Sequence, residues 1–131
     1  MNRRANTLAR WAAVLLLAVL SSGAGPALGQ LDRDQARAAW TLIDDGALLI
    51  DVRSEAEYID GHLEGALHIP YQNTDDLAQA IGDDKDRAVV MYCGSGRRVG
   101  LAIEALERLG YTNLHNATGL EAMQATRPAG D

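Results

Sequence analysis

One stretch limits the folds open to this chain. Four apolar or aromatic residues, Val89-Val90-Met91-Tyr92, run directly into Cys93-Gly94-Ser95-Gly96-Arg97-Arg98. A short apolar run of this kind reads as a buried strand, and two nearby glycines permit a tight turn after it. From Val99 the apolar residues recur at helical spacing, through Ala102, Ile103, Leu106 and Leu109. A strand, a glycine-rich turn and a helix in that order aim backbone N–H groups at whatever sits at the strand's end. Here that is the chain's only cysteine.

The flanking sequence supplies partners for such a strand. Residues 34–43 place Ala36, Ala39, Trp40 and Ile43 on one helical face, and Asp44-Asp45-Gly46 ends the helix. The run Ala47-Leu48-Leu49-Ile50-Asp51-Val52 reads as a strand buried on both faces, as in parallel sheets. Ser54 and Glu57 fit a capping box that opens a short helix through Tyr58. Residues 66–69 predict a second short strand stopped by Pro70. Thr74-Asp75-Asp76 opens a helix carrying Leu77, Ala80 and Ile81. After the stop at Gly110, residues 111–116 predict a last strand and 119–124 one or two helical turns. Strands alternating with helices predict an α/β fold, a mainly parallel central sheet flanked by helices on both faces. Sites in such sheets lie beyond the carboxyl ends of the strands, where Cys93 falls.

The first 29 residues are expected to be a signal peptide, leaving residues 30–131 as one domain. Arg3, Arg4 and Arg10 precede or open a ten-residue apolar run at 11–20, followed by small, turn-prone residues with Ala27-Leu28-Gly29 as the cleavage site. Ten apolar residues are short for a bilayer crossing, which takes about 20; an uncleaved anchor is the alternative. The exported part keeps nine of the twelve basic residues and all eighteen acidic ones, a formal charge of −9. That charge argues against nucleic acid and anionic membranes as partners. The domain is expected in the periplasm or outside the cell, without stable membrane association after cleavage, and as a monomer.

The chemistry concentrates at Cys93. A free thiol has a pKa of about 8.5, lowered at helix N-termini and beside arginine. Gly94 and Gly96 let the backbone approach closely, so the loop's N–H groups can form an anion nest. Arg97 and Arg98 each offer a planar donor pair for an oxyanion. A thiol so placed is expected to be ionised easily and to be accessible to small reagents such as iodoacetamide; burial as an inert core residue is the alternative. His62, His68 and His115 are scattered, which gives a cysteine–histidine dyad little support. No metal-ligand spacing is visible, and no metal or cofactor is expected.

Three motifs in order resemble those of rhodanese-like domains. Asp51-Val52-Arg53, Glu57-Tyr58 and Gly61-His62-Leu63-Glu64-Gly65-Ala66-Leu67-His68-Ile69-Pro70 resemble the family signature. The loop from Cys93 to Arg98 is similar to its active-site loop. Gly110-Tyr111-Thr112-Asn113-Leu114 and Gly119-Leu120 resemble its C-terminal motif, with Thr118-Gly119 where that motif usually has two glycines. The single-domain, exported layout is similar to the periplasmic thiosulfate sulfurtransferases of the family.

The resemblance implies that Cys93 is the nucleophile and takes the sulfane sulfur of thiosulfate as a persulfide. Cyanide or a thiol then collects it. It implies substrate binding by Gly94, Ser95, Gly96, Arg97 and Arg98, with Arg97 on the sulfonate end. Asp51, Arg53, Glu57 and His62 are implied as structural positions. Two alternatives stay open. One is a persulfide carrier or binding module that does not turn over thiosulfate. The other is a phosphatase or arsenate reductase, whose longer loop requires arginine at position 99, where this chain has Val99.

Overall fold

The structure is a computed structural model and describes residues 28–130. The candidate export signal falls almost wholly outside them. Nine elements follow in order: α1 (Leu28–Asp44), β1 (Leu48–Asp51), α2 (Glu55–Asp60), β2 (Leu67–His68), α3 (Thr74–Ile81), β3 (Val89–Cys93), α4 (Arg97–Glu107), β4 (Leu114–Gly119) and α5 (Leu120–Ala125). The strands form one sheet in the order β2-β1-β3-β4, every neighbouring pair parallel. Among the described residues no helix is long and apolar enough to cross a membrane.

The central position of β3 explains its composition. Val89, Val90, Met91, Tyr92 and Cys93 have no exposed surface, and burying one such side chain is worth about 1.5–3 kcal/mol. On one face Val89 and Met91 meet Leu77 and Ile81 of α3 and Val99, Ala102 and Leu106 of α4. On the other, Val90 and Tyr92 meet Ala36, Ala39 and Trp40 of α1 and Met123 of α5. Alternate residues of one strand thus serve two cores, the period-2 geometry of a strand covered on both sides. Trp40 Nε1 donates to the Met123 carbonyl at 2.9 Å, tying the first helix to the last.

Several boundaries differ from the sequence expectation. Helix α1 starts at Leu28, six residues before the expected 34. Its first turns lie beyond the core, with Leu31 45% exposed, so no apolar periodicity marks them. Polar side chains support them instead: Gln30 Nε2 and Arg37 Nη1 each donate to Asp34 Oδ1 at 3.0 Å. Strand β4 lies at Leu114–Gly119 rather than 111–116. Tyr111 is instead a plug, its hydroxyl donating to the carbonyls of Ala78 and Gly82 at 3.1 and 2.8 Å. Leu109 is 48% exposed and follows the end of α4, so it is not part of the buried stripe.

A buried ion pair fixes the junction after β1. Asp51 is fully buried and Arg53 nearly so. The Arg53 backbone N–H donates to Asp51 Oδ1 at 2.9 Å, and its Nη2 donates to Oδ2 at 2.7 Å and to the Gly61 carbonyl at 2.7 Å. The hydrogen bond to Asp51 raises the Arg53 pKa against the opposing effect of burial. The next turn is held by the expected capping box, in which Ser54 Oγ accepts from the Glu57 N–H and Glu57 reaches back to the Ser54 N–H. Removing one member of a buried pair strands the other charge and typically costs about 3–5 kcal/mol. Arg53→Ala is therefore expected to lower the unfolding free energy by about that amount, measured by urea denaturation; a loss below about 1 kcal/mol would show that the pair is not holding this junction.

Candidate active site

Cys93 ends β3, and the chain turns at Gly94-Ser95-Gly96 into α4. Gly96 is the N-cap residue of α4, with φ 93° and ψ −12°, a left-handed conformation that favours glycine. This turn carries the loop back over the sulfur. The Gly96 N–H donates to Cys93 Sγ at 3.0 Å. The backbone N–H groups of Val99, Ser95 and Arg98 add to the lowering of the thiol pKa. Burial pushes the Cys93 thiol up, but these four amides outweigh it and leave its pKa below the ordinary value. Val99, one position beyond the stretch read as the loop, thus takes part through its backbone while its side chain packs in the core.

The accessible thiol expected from the sequence is not found: Cys93 has no exposed surface. The reason is the loop's own closure, since the turn that aims the amides also covers the sulfur. It is both buried and polar in its surroundings, a combination the two sequence alternatives treated as exclusive.

The two arginines separate. Arg97 is exposed and makes no ion pair among the described residues. Arg98 is half-buried, and its guanidinium grips Glu57 with two bonds, Nη1 to Oε1 at 2.7 Å and Nη2 to Oε2 at 3.1 Å. The Arg98 pKa is raised first by that bond to Glu57, with Cys93 adding a smaller contribution. Glu57, read from sequence as a structural position, therefore reaches the loop through Arg98 as well as capping α2. The bond to Arg98 holds its carboxyl down at about 2. Asp51 and Arg53 form their pair under Tyr92, whose pKa is raised by burial and by Asp51. His62 stacks on Tyr58 with ring centroids 3.7 Å apart, and its Nδ1 lies 2.8 Å from the Tyr58 carbonyl. The structure thus brings Gly94 to Arg98 and Glu57 together around Cys93, and it leaves His62 in the α2 turn.

The end of β4 backs the loop. The register between β3 and β4 pairs Met91 with Asn116 and Cys93 with Gly119, so β4 carries one extra residue there. Asn116 Nδ2 donates to the Gly96 carbonyl at 2.9 Å, and the Thr118 N–H donates to Asn116 Oδ1 at 2.9 Å. Thr118 has φ 69°, the one non-glycine residue with positive φ among those described. Gly119 has an ordinary extended φ of −132°, yet a Cβ there would lie 2.1 Å from the Gly94 carbonyl oxygen. Asn116 gave no signal in the sequence, because nothing local marks an amide whose partner lies twenty residues earlier. A cleft of 260 Å³ borders the loop at Gly94 and Ser95 and is lined also by Arg33, Thr118 and Glu121; Cys93 does not line it. Among the described residues no group of three or more His, Cys, Asp or Glu side chains is placed to hold a metal.

Residues 35–125 match the family model for the rhodanese-like domain. Thiosulfate sulfurtransferase PspE of Escherichia coli (strain K12) is 39% identical over 72 residues, 55% of this chain and 69% of that protein. The tRNA uridine(34) hydroxylase of Erwinia tasmaniensis is 37% identical over 82 residues, 60% of this chain but only 23% of that protein. A solved structure described as rhodanese with anions from E. coli is 38% identical, with a TM-score of 0.55 over 59% of this chain and 91% of that one.

Two outcomes follow from this geometry. The depressed Glu57 pKa means that the pair with Arg98 contributes stability above the ordinary 4.5 and loses it as pH falls through about 2. Because the Glu57 side chain is 40% exposed, Glu57→Gln is expected to cost less than about 1 kcal/mol at neutral pH. Thermal melts across pH should show the two proteins converging in that acid window; a gap unchanged at pH 2 would contradict the assignment. At Thr118 a left-handed non-glycine residue costs about 1–2 kcal/mol, against about 0.5–1 kcal/mol for the added chain freedom of glycine. Thr118→Gly should raise the unfolding free energy by up to about 1 kcal/mol, and a clear loss in denaturant titration would show that the threonine side chain outweighs its backbone strain.

Proposed function

The chain belongs to the rhodanese-like domain family, and from that premise we propose that it is a sulfurtransferase that moves sulfane sulfur from thiosulfate to a thiophilic acceptor through Cys93. The observation that carries this reading is the Gly96 N–H seated at 3.0 Å on a fully buried sulfur at the start of a helix, where the amides of Ser95, Arg98 and Val99 also help lower the thiol pKa. Such a site favours a thiolate and equally a persulfide anion one atom longer. The match to proteins named as thiosulfate sulfurtransferases supports it.

In the first step the Cys93 thiolate attacks the outer sulfur of thiosulfate. The bond between that sulfur and the sulfonate breaks, and its electron pair leaves with sulfite. Cys93 is then a persulfide anion, and the charge balances without any proton, metal or cofactor. In the second step cyanide or a thiolate attacks the outer sulfur, departs as thiocyanate or a new persulfide, and restores the Cys93 thiolate. Arg97, exposed and unpaired among the described residues, is the residue for the sulfonate end. Arg98 is engaged with Glu57 and stays beside the sulfur. Gly94, Ser95 and Gly96 contribute backbone. The Arg-rich, apolar and small-residue segment at 1–29 supports a periplasmic or secreted location.

The match of this domain to part of a larger protein named tRNA uridine(34) hydroxylase keeps open a second reading, a carrier that receives its persulfide from a partner protein and does not turn over thiosulfate. The discriminating experiment is a thiosulfate and cyanide assay of the purified domain and of Cys93→Ser, with intact mass recorded after thiosulfate. Turnover and a gain of one sulfur atom by the wild type alone are expected. A wild type that gains sulfur from a persulfidated protein but never from thiosulfate would replace the enzyme reading with the carrier. Equal thiocyanate formation by both proteins would remove Cys93 as the nucleophile.

A further inference from the structure

The Gly96 N–H holds the Cys93 sulfur at 3.0 Å, but a loop with two glycines does not hold itself. We propose that Asn116 is a positioning residue of this site, the brace that keeps the loop's amides on the sulfur. It stands on β4 and acts on the sulfur's surroundings through the backbone of Gly96.

The argument begins with the chemistry of a carboxamide. It carries a donor on one side and an acceptor on the other. Asn116 uses both on the backbone: Nδ2 donates to the Gly96 carbonyl at 2.9 Å and Oδ1 accepts from the Thr118 N–H at 2.9 Å. The partners fix its orientation, since a carbonyl only accepts and an N–H only donates. An aspartate satisfies one and repels the other, and an aliphatic residue satisfies neither. The second bond, from the N–H two residues on, is an Asx turn, and it holds Thr118 in its left-handed conformation.

The site of the first bond matters more. Gly96 is where the loop becomes the helix. Its N–H is on the sulfur at 3.0 Å, while its carbonyl accepts the first helical bond, from the Gly100 N–H at 3.0 Å. Asn116 therefore clamps the residue that joins the loop amides of Ser95 and Gly96 to the helical amides of Arg98 and Val99. Glycine at this joint has the widest backbone freedom of any residue. Close packing completes the clamp: a Cβ on Gly96 would lie 3.1 Å from Asn116 Oδ1 and 3.3 Å from the Thr118 Cα. Behind it, Gly119 sits against the Gly94 carbonyl. Without the carboxamide the joint can turn, and the amides lose their common focus. Hydrogen bonds to the charged form are what lower the Cys93 pKa against burial, so relaxing them should raise it.

The proposal deepens the sulfurtransferase reading of the same site, and its test uses no sulfur donor. The chain has one cysteine, so below the pH at which its four tyrosines ionise, about 10 for a free phenol, the ultraviolet absorbance of the thiolate reports Cys93. Asn116→Leu keeps the branched shape and the neutral charge without either hydrogen bond, and Asn116→Ala removes the side chain. Both should raise the thiolate midpoint by about one unit, a tenfold loss of thiolate below it. Leu106→Val, in the core near the far end of α4, serves as a control that loses stability without moving the midpoint. Asn116→Ser, whose short hydroxyl cannot bridge both partners, should shift the midpoint in the same direction; it decides the matter if neither of the other Asn116 variants folds. Folded variants whose midpoints match the wild type would overturn the brace and leave Asn116 as a purely structural tie. A wild type that gains no sulfur from thiosulfate would end the enzyme reading while leaving this comparison intact.

Discussion

Placing a thiolate where water does not reach is unfavourable unless something replaces the water. In this domain the replacement is backbone: the Gly96 N–H bonds Cys93 Sγ, and the amides of Ser95, Arg98 and Val99 add to the lowering of its pKa. Because these donors are part of the main chain, they are already oriented before any anion forms and need no side-chain ordering at that moment. The rest of the fold can be understood as the means of holding them. A parallel sheet puts the sulfur at a strand's end, and α4 supplies N–H groups that have no partner within the helix.

The two arginines show how the surroundings divide this work. Arg98 is neutralised by a bidentate carboxylate and set in place, while Arg97 remains an exposed charge with no ion pair among the described residues. One contributes rigidity and the other attraction. In a chain whose formal net charge is −6, that local cation matters within a screening length of about 8 Å, beyond which the overall charge has little effect on a small anion.

Those features that depend on neighbours in sequence were legible from it. The strand at 89–93, the glycine turn, the capping box at Ser54 and the alternation of strands and helices each rest on local periodicity or local hydrogen bonding, and the structure shows each of them. What escaped depends on distant partners or on none. The opening turns of α1 have no core face and so no pattern. Tyr111 looked like a strand residue because an aromatic in a coil between helix and strand has the same composition as one in a strand. Glu57 was legible as a cap but not as the anchor of Arg98, forty-one positions away. Asn116 was invisible for the same reason.

Thr118 and Gly119 stand side by side where the motif this chain resembles usually has two glycines, and their backbones constrain them in different ways. Position 118 demands an unusual torsion but leaves room for a side chain, so drift there meets a modest and graded penalty. Position 119 has an unexceptional torsion but no room at all, because the obstacle is a neighbouring peptide oxygen that cannot swing aside. The two sites are therefore constrained differently in kind: the first by a torsion that strains any side chain, the second by a peptide oxygen that leaves no space for one.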